Sequence, residues 1–124
     1  MTRRLMPLLA ACGWLLIVAP TAAHHSTAMY DAQNPVTVTG TVVKFDWTNP
    51  HAFIYLEVKD ENTGKVVEWE VELMSLNHLR GYGWTSKTVK PGDMLSATGS
   101  PAKSGVPSMI ANRLKFADGR EIRS

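Results

Sequence analysis

Four histidines follow the apolar N-terminal segment of this 124-residue chain: His24, His25, His51 and His78. Imidazole is the commonest side-chain metal ligand, and its charge also changes near neutral pH. His24 directly follows Thr21-Ala22-Ala23, small residues that are typical of a signal-peptidase site. Cleavage after Ala23 makes His24 the first residue of the mature protein. Its α-amine and its Nδ1 could then bind one metal ion together.

A further imidazole, from His51 or His25, would complete a T-shaped set of three nitrogens. This set resembles the histidine brace of secreted copper proteins. Nitrogen ligands in a tetragonal arrangement suit Cu(II), which has the highest affinity of the divalent series. Met29 is a soft ligand that could help to hold Cu(I). We therefore predict a non-catalytic copper-binding protein. Its metal ligands would be drawn from His24, His25, His51 and Met29. If Ala23 remained, Ala23-His24-His25 would form another Cu(II)-binding pattern.

The alternative interpretation treats the histidines as ordinary polar residues. His24 and His25 would then be solvated, and His51 would cap a turn after Asn49-Pro50. His78 is expected at the surface of a short helix in either case. A cluster of histidines in a sequence is only a candidate site until the fold brings the side chains together.

A second functional hypothesis uses a different surface. Phe53 and Tyr55 share the outward parity of a predicted strand, and Glu70 lies on the outward parity of the next strand. This is the region where small Greek-key barrels usually bind ligands. The residues would hold a partner protein or a glycan of the cell envelope without a metal. We interpret the alternation of Glu68, Glu70 and Glu72 as a solvated face that deters edge pairing.

Residues 1–23 have the parts of a secretory signal peptide: a basic start, an apolar run and small residues before the cut. We predict export to the periplasm, with no membrane span after this segment is removed. Leu9 to Cys12 resembles a lipobox, but the apolar run continues past Cys12, which argues against lipidation. Cys12 is the single cysteine, so the mature chain would have neither a disulfide nor a thiolate nucleophile.

Charge disfavours a nucleic-acid partner. Removing Arg3 and Arg4 from 13 basic residues leaves 11, which balance 11 acidic residues. The sequence also has no phosphate loop before a helix and no G-x-S-x-G nucleophile motif, so we predict that the protein is not an enzyme.

Hydrophobic periodicity predicts an arm over 24–34 and one β-rich domain over 35–124. Strands are expected at 36–47, 51–59, 66–73, 94–100 and 109–116, with a short strand after Asp118-Gly119. A helix that Ser75 caps is expected to end at Gly81 or Gly83. A parity change near Gly40 predicts a bulge there. The order β-β-β-α-β-β favours an all-β, OB-fold-like Greek-key barrel of five strands, and a β-sandwich is the alternative.

Several short motifs occur in a fixed order: His24-His25-Ser26, Trp47-Thr48-Asn49-Pro50-His51, Gly83-Trp84-Thr85 and Lys90-Pro91-Gly92-Asp93. Together they resemble a family of small exported bacterial proteins of unknown function, over essentially the whole mature chain. The resemblance implies export and an OB-like barrel. It implies no established activity, substrate or cofactor.

Overall fold

A computed structural model describes residues 27–124 of the chain. The predicted signal peptide, His24 and His25 lie outside these described residues. The elements are a 3₁₀ turn Thr27–Met29, β1 Val36–Asp46, β2 Phe53–Lys59, β3 Val66–Glu72, α1 Leu76–Gly81, β4 Met94–Pro101, β5 Ser108–Phe116 and β6 Glu121–Arg123. The Asn49–Pro50 peptide bond is cis.

The strands form one sheet that closes on itself. The order is β3-β2-β1-β4-β5-β6 with antiparallel neighbours. β3 also pairs in parallel with β5, where Glu70, Val71 and Glu72 lie opposite Ser108, Met109 and Ile110. This pairing joins the two sides into a five-stranded barrel, and β6 extends β5. The predicted fold class, an OB-like barrel with one short helix, is confirmed.

Strict alternation along the strands fills the barrel interior. On β2, the side chains of Ile54 and Leu56 are fully buried and their odd-numbered neighbours point outward. The same pattern on the other strands brings aliphatic side chains to one centre. The core consists of Val42, Ala52, Ile54, Leu56, Val71, Leu73, Leu76, Leu79, Trp84, Val89, Leu95, Ala97, Met109, Ala111, Leu114 and Phe116.

The bend of β1 differs from the sequence prediction. The register between β1 and β2 shifts between Val42 and Lys44, so the bulge lies beyond Gly40. Val43, within this shift, is exposed. Gly40 has another role: a Cβ there would overlap the carbonyl oxygen of Glu57. Glycine is needed where β1 passes from pairing with β4 to pairing with β2.

The helix closes one part of the core. Ser75 is its N-cap and accepts a hydrogen bond from the His78 amide, as predicted. Leu76 and Leu79 are buried beneath it. Gly83 follows in the left-handed region (φ 85°), which reverses the chain after the helix. Trp84 then enters the core and donates its indole N–H to the Arg123 carbonyl oxygen at 2.8 Å, which ties the helix region to β6. Within residues 27–124, no helix is long and apolar enough to cross a membrane.

Candidate functional site

His51 and Glu72 meet at the outer surface between β2 and β3. Phe53 pairs with Glu72, and the ladder continues because the Leu73 amide donates to the Ala52 carbonyl oxygen at 2.9 Å. This register places His51 diagonally beside Glu72. The ring Nδ1 of His51 is hydrogen-bonded to Oε1 of Glu72.

The two partners differ in their access to solvent. The Glu72 side chain is 4% exposed, whereas the His51 ring is 46% exposed. An ionised carboxylate can only accept, so Nδ1–H donates to it. In the neutral ring, the lone pair then lies on Nε2. A histidine that a buried carboxylate orients in this way is the usual arrangement of an imidazole ligand in metal sites.

The burial of Glu72 corrects the interpretation of the glutamate row. The alternation predicted three solvated carboxylates, but solvent access falls along β3, so that Glu68 is exposed, Glu70 is half-buried and Glu72 is buried. The cause is the parallel pairing with β5, which begins at Glu70 and covers the second edge of β3. The sequence singles out Glu70 as a site residue but not Glu72. Strand periodicity predicts which face of the sheet a side chain occupies, but it does not predict which strands lie on either side of it.

The N-terminal arm packs against the end of β4 and the start of β5. Tyr30 forms a β-bridge with Ala102, and the Lys103 amide donates to the Met29 carbonyl oxygen at 2.9 Å. The Tyr30 hydroxyl lies 3.4 Å from Ser108 Oγ, and Ser108 pairs with Glu70. The arm is thus attached beside Ala102 and Ser108, and Ser108 lies between Tyr30 and Glu70. Nothing in the sequence of the arm predicts this attachment.

Met29, a predicted ligand, and His78, a predicted surface residue, have other surroundings. The Met29 side chain is 61% exposed, while the backbone of Met29 is held by Lys103. The His78 ring is hydrogen-bonded through Nδ1 to Ser75 Oγ at 2.8 Å and belongs to the helix cap. Over residues 27–124, no three His, Cys, Asp or Glu side chains come together in a group that could hold a metal ion.

The predicted partner face is continuous on the outer surface of β2 and β3. Tyr55 lies opposite Glu70, and Phe53 follows on the same side of β2. The Lys44 ammonium lies 5.3 Å from the centre of the Tyr55 ring and 2.7 Å from Asp46. Burial raises the pKa of the Tyr55 phenol, and the negative charge of Glu70 adds to the increase. The hydrogen bond to Asp46 raises the pKa of Lys44. The face therefore offers a neutral phenol and a fixed cation.

Comparisons with known proteins identify the family and support the fold. Residues 14–110 match a family described as a family of unknown function (DUF6152), and the chain belongs to this family. No curated protein sequence matches the chain significantly. Among solved structures, the mitochondrial single-stranded DNA-binding protein Rim1 of S. cerevisiae is similar, with a TM-score of 0.52 and 8% identity. The alignment covers 68% of this chain and 93% of that chain. At this identity the similarity shows a common barrel fold alone.

Proposed function

We propose that this member of the DUF6152 family is a non-catalytic copper-binding protein of the bacterial cell envelope, which carries or sequesters the metal. The observation that carries the proposal is the pairing of half-exposed His51 with buried Glu72. This pair leaves Nε2 of His51 available to a cation. Such outer carboxylates orient a ligating imidazole and increase its basicity.

The remaining nitrogens would come from the processed N-terminus. Cleavage after Ala23 gives His24 a free α-amine beside its Nδ1, and His25 follows as a further ligand. Three nitrogen donors of this kind suit Cu(II) better than the other divalent ions. Met29, on the exposed side of the arm, would add a soft donor for Cu(I).

The attachment of the arm defines what this ligand set requires. Tyr30 pairs with Ala102, and the Lys103 amide donates to the Met29 carbonyl oxygen, so the chain just before Tyr30 lies beside the loop that follows β4. Thr27–Met29 form a 3₁₀ turn, which leaves residues 24–26 to span about 10 Å when extended. The proposal requires these residues to turn back toward His51, and comparison of the His24 and His51 variants tests this requirement.

The test uses protein that was exported and processed without a tag, and its intact mass would define the first residue. Titration with Cu(II) and an EPR spectrum would then give stoichiometry and ligand type. We expect one tight, nitrogen-rich tetragonal site. His24→Ala, or one residue added before His24, should remove tight binding. Glu72→Gln keeps the shape of the side chain and should weaken the affinity by about 10–100-fold.

The matched control is His78→Ala, which removes a histidine that the helix cap already uses. This variant should bind copper like the parent protein. Absence of stoichiometric copper on protein that begins at His24 would refute the proposal, and so would a loss of affinity in the His78 variant equal to that in the His51→Ala variant.

A second candidate function rests on the continuous Phe53–Tyr55–Glu70 face. This face would hold a partner protein or a neutral glycan of the envelope, as aromatic rings on small barrels do. Phe53→Ala combined with Tyr55→Ala should abolish capture of the partner and leave copper affinity unchanged. The fold is shared with a single-stranded DNA-binding protein, but Glu68 and Glu70 make this face acidic, which opposes a phosphate backbone.

A further inference from the structure

Basic and hydroxyl side chains form rows across the outer face of β1, β4, β5 and β6. One row follows the register from Thr37 through Thr98 and Arg113 to Arg123. The next row runs from Thr39 through Ser96 and Lys115 to Glu121. We name this region the basic hydroxyl surface; it comprises Thr37, Thr39, Ser96, Thr98, Arg113, Lys115 and Arg123.

The Arg113–Arg123 pair is unfavourable for the folded chain by itself. Like charges directly opposite each other on antiparallel strands are destabilising. The neighbouring pair, Lys115 opposite Glu121, has the complementary charges that sheets normally use. Ion pairs within residues 27–124 join Lys44 to Asp46, His51 to Glu72 and Arg120 to Asp118, so neither Arg113 nor Arg123 forms an ion pair in this part of the chain. An anion bound between Arg113 and Arg123 would attract both side chains and so offset their mutual repulsion.

The balanced total charge of the described residues conceals a separation between two faces. Eleven basic and eleven acidic residues lie within 27–124. Glu57, Glu68 and Glu70 are on the outward parity of β2 and β3, whereas Arg113, Lys115 and Arg123 are on the outward parity of β5 and β6. Glu121 balances Lys115 on this surface, so its excess positive charge comes from Arg113 and Arg123, and these two side chains are complementary to an anion.

The hydroxyl groups beside the arginines are arranged in hydrogen-bonded pairs. Thr37 Oγ1 lies 2.8 Å from Thr98 Oγ1, and Thr39 Oγ1 lies 2.7 Å from Ser96 Oγ. Within each pair one hydroxyl donates to the other, so the second keeps its own proton for an external acceptor. Fixed hydroxyls next to guanidinium groups match a molecule that carries both hydroxyl and acidic groups.

We propose that the basic hydroxyl surface binds an anionic polysaccharide, whose carboxylate or phosphate groups contact Arg113 and Arg123 and whose sugar hydroxyls contact the threonine rows. Guanidinium groups bind both anions through paired hydrogen bonds. The surface contains no aromatic side chain for base stacking, as single-stranded nucleic acid would require. It also has no group of apolar residues that would insert into a membrane.

The test measures binding of the full chain to polygalacturonate as the probe, in a chelator, with neutral dextran as the comparison. Arg113→Gln combined with Arg123→Gln should weaken binding at least about tenfold, since hydrogen bonds to charged groups are strong. The matched control is Lys87→Gln combined with Lys90→Gln, which removes the same charge from residues that line a separate groove. The control should change affinity by less than about twofold.

A third variant separates binding from folding. Arg123→Glu creates an opposite-charge pair with Arg113, so it should raise the midpoint of thermal unfolding while binding is lost. Equal losses in the two glutamine double variants would overturn the proposal, because general charge would then explain binding. Tighter binding to oligothymidylate or to phosphatidylglycerol vesicles than to polygalacturonate would also overturn it, in favour of nucleic acid or a membrane surface.

Discussion

Replacing His51 with alanine is expected to leave the Glu72 carboxylate without a hydrogen-bond partner. The His51 ring is that partner, and the Glu72 side chain is only 4% exposed to solvent. A buried polar group that loses its partner costs about 1–3 kcal/mol. The His51 ring is itself 46% exposed, so water would enter the space that it leaves. We therefore expect a loss of about 1–2 kcal/mol in the free energy of unfolding, the lower part of that range.

Adding Glu72→Gln to the His51→Ala variant should restore much of the loss, since a neutral amide is less costly to bury than a carboxylate. Urea unfolding, followed by tryptophan fluorescence in a chelator, would measure all members of the double-mutant cycle without a contribution from metal. His78→Ala is the control and should change stability by less than about 0.5 kcal/mol. Additive effects of the His51 and Glu72 substitutions would refute the coupling on which the site depends.

Other predictions concern the barrel and its turns. Gly40→Ala should destabilise the fold by about 1–3 kcal/mol in thermal unfolding, because the added methyl group meets the Glu57 backbone. Gly81→Ala is the control, since the space around Gly81 is open. An equal loss of stability in both variants would contradict the argument. Hydrogen bonds from the backbone amides of Thr63 and then Asn62 lower the pKa of Asp60. The stability that Asp60 contributes should be present above its unfolded pKa and lost as pH falls through the lower folded value. Chemical unfolding of the parent and of Asp60→Asn should therefore differ at neutral pH and converge in strong acid, and a constant difference would contradict the assignment.

The alternation of apolar and polar residues is sufficient to predict the strands. The contact between His51 and Glu72 depends instead on how the strands pair in the tertiary structure. Alternation along β2 gives the inward side of Ile54 and Leu56 correctly because each side chain is buried by the same sheet face. The change of parity predicts a bulge at Gly40, but the register shifts after Val42, and glycine is required at position 40 by its close approach to Glu57. No local signal distinguishes Glu72 from Glu68, since the difference arises from the parallel pairing of β3 with β5 across a long stretch of sequence.

The predicted ligands show the same division. His51 was identified from its residue type and its place before a strand, but its partner follows from register, which places it diagonal to Glu72. The attachment of the arm at Ala102 and Ser108 depends on a loop far along the chain, beyond what periodicity in the arm could indicate. His24 and His25 lie outside the described residues, so their role stays a prediction.

The parallel pairing of β3 with β5 makes Glu72 part of the seam that closes the barrel. This seam extends over Glu70–Glu72, whereas β2 and β3 pair along the whole length of both strands. Of the pairings around the barrel, it is the short one, so local opening of the cylinder requires the fewest broken backbone bonds there. Parting the seam would uncover the Glu72 carboxylate, whereas the longer pairing of β3 with β2 would hold it near His51. A ligand that binds the His51 ring in the orientation set by buried Glu72 would therefore stabilise the closed barrel. Ligand binding would then be linked to the local opening of the β3–β5 pairing.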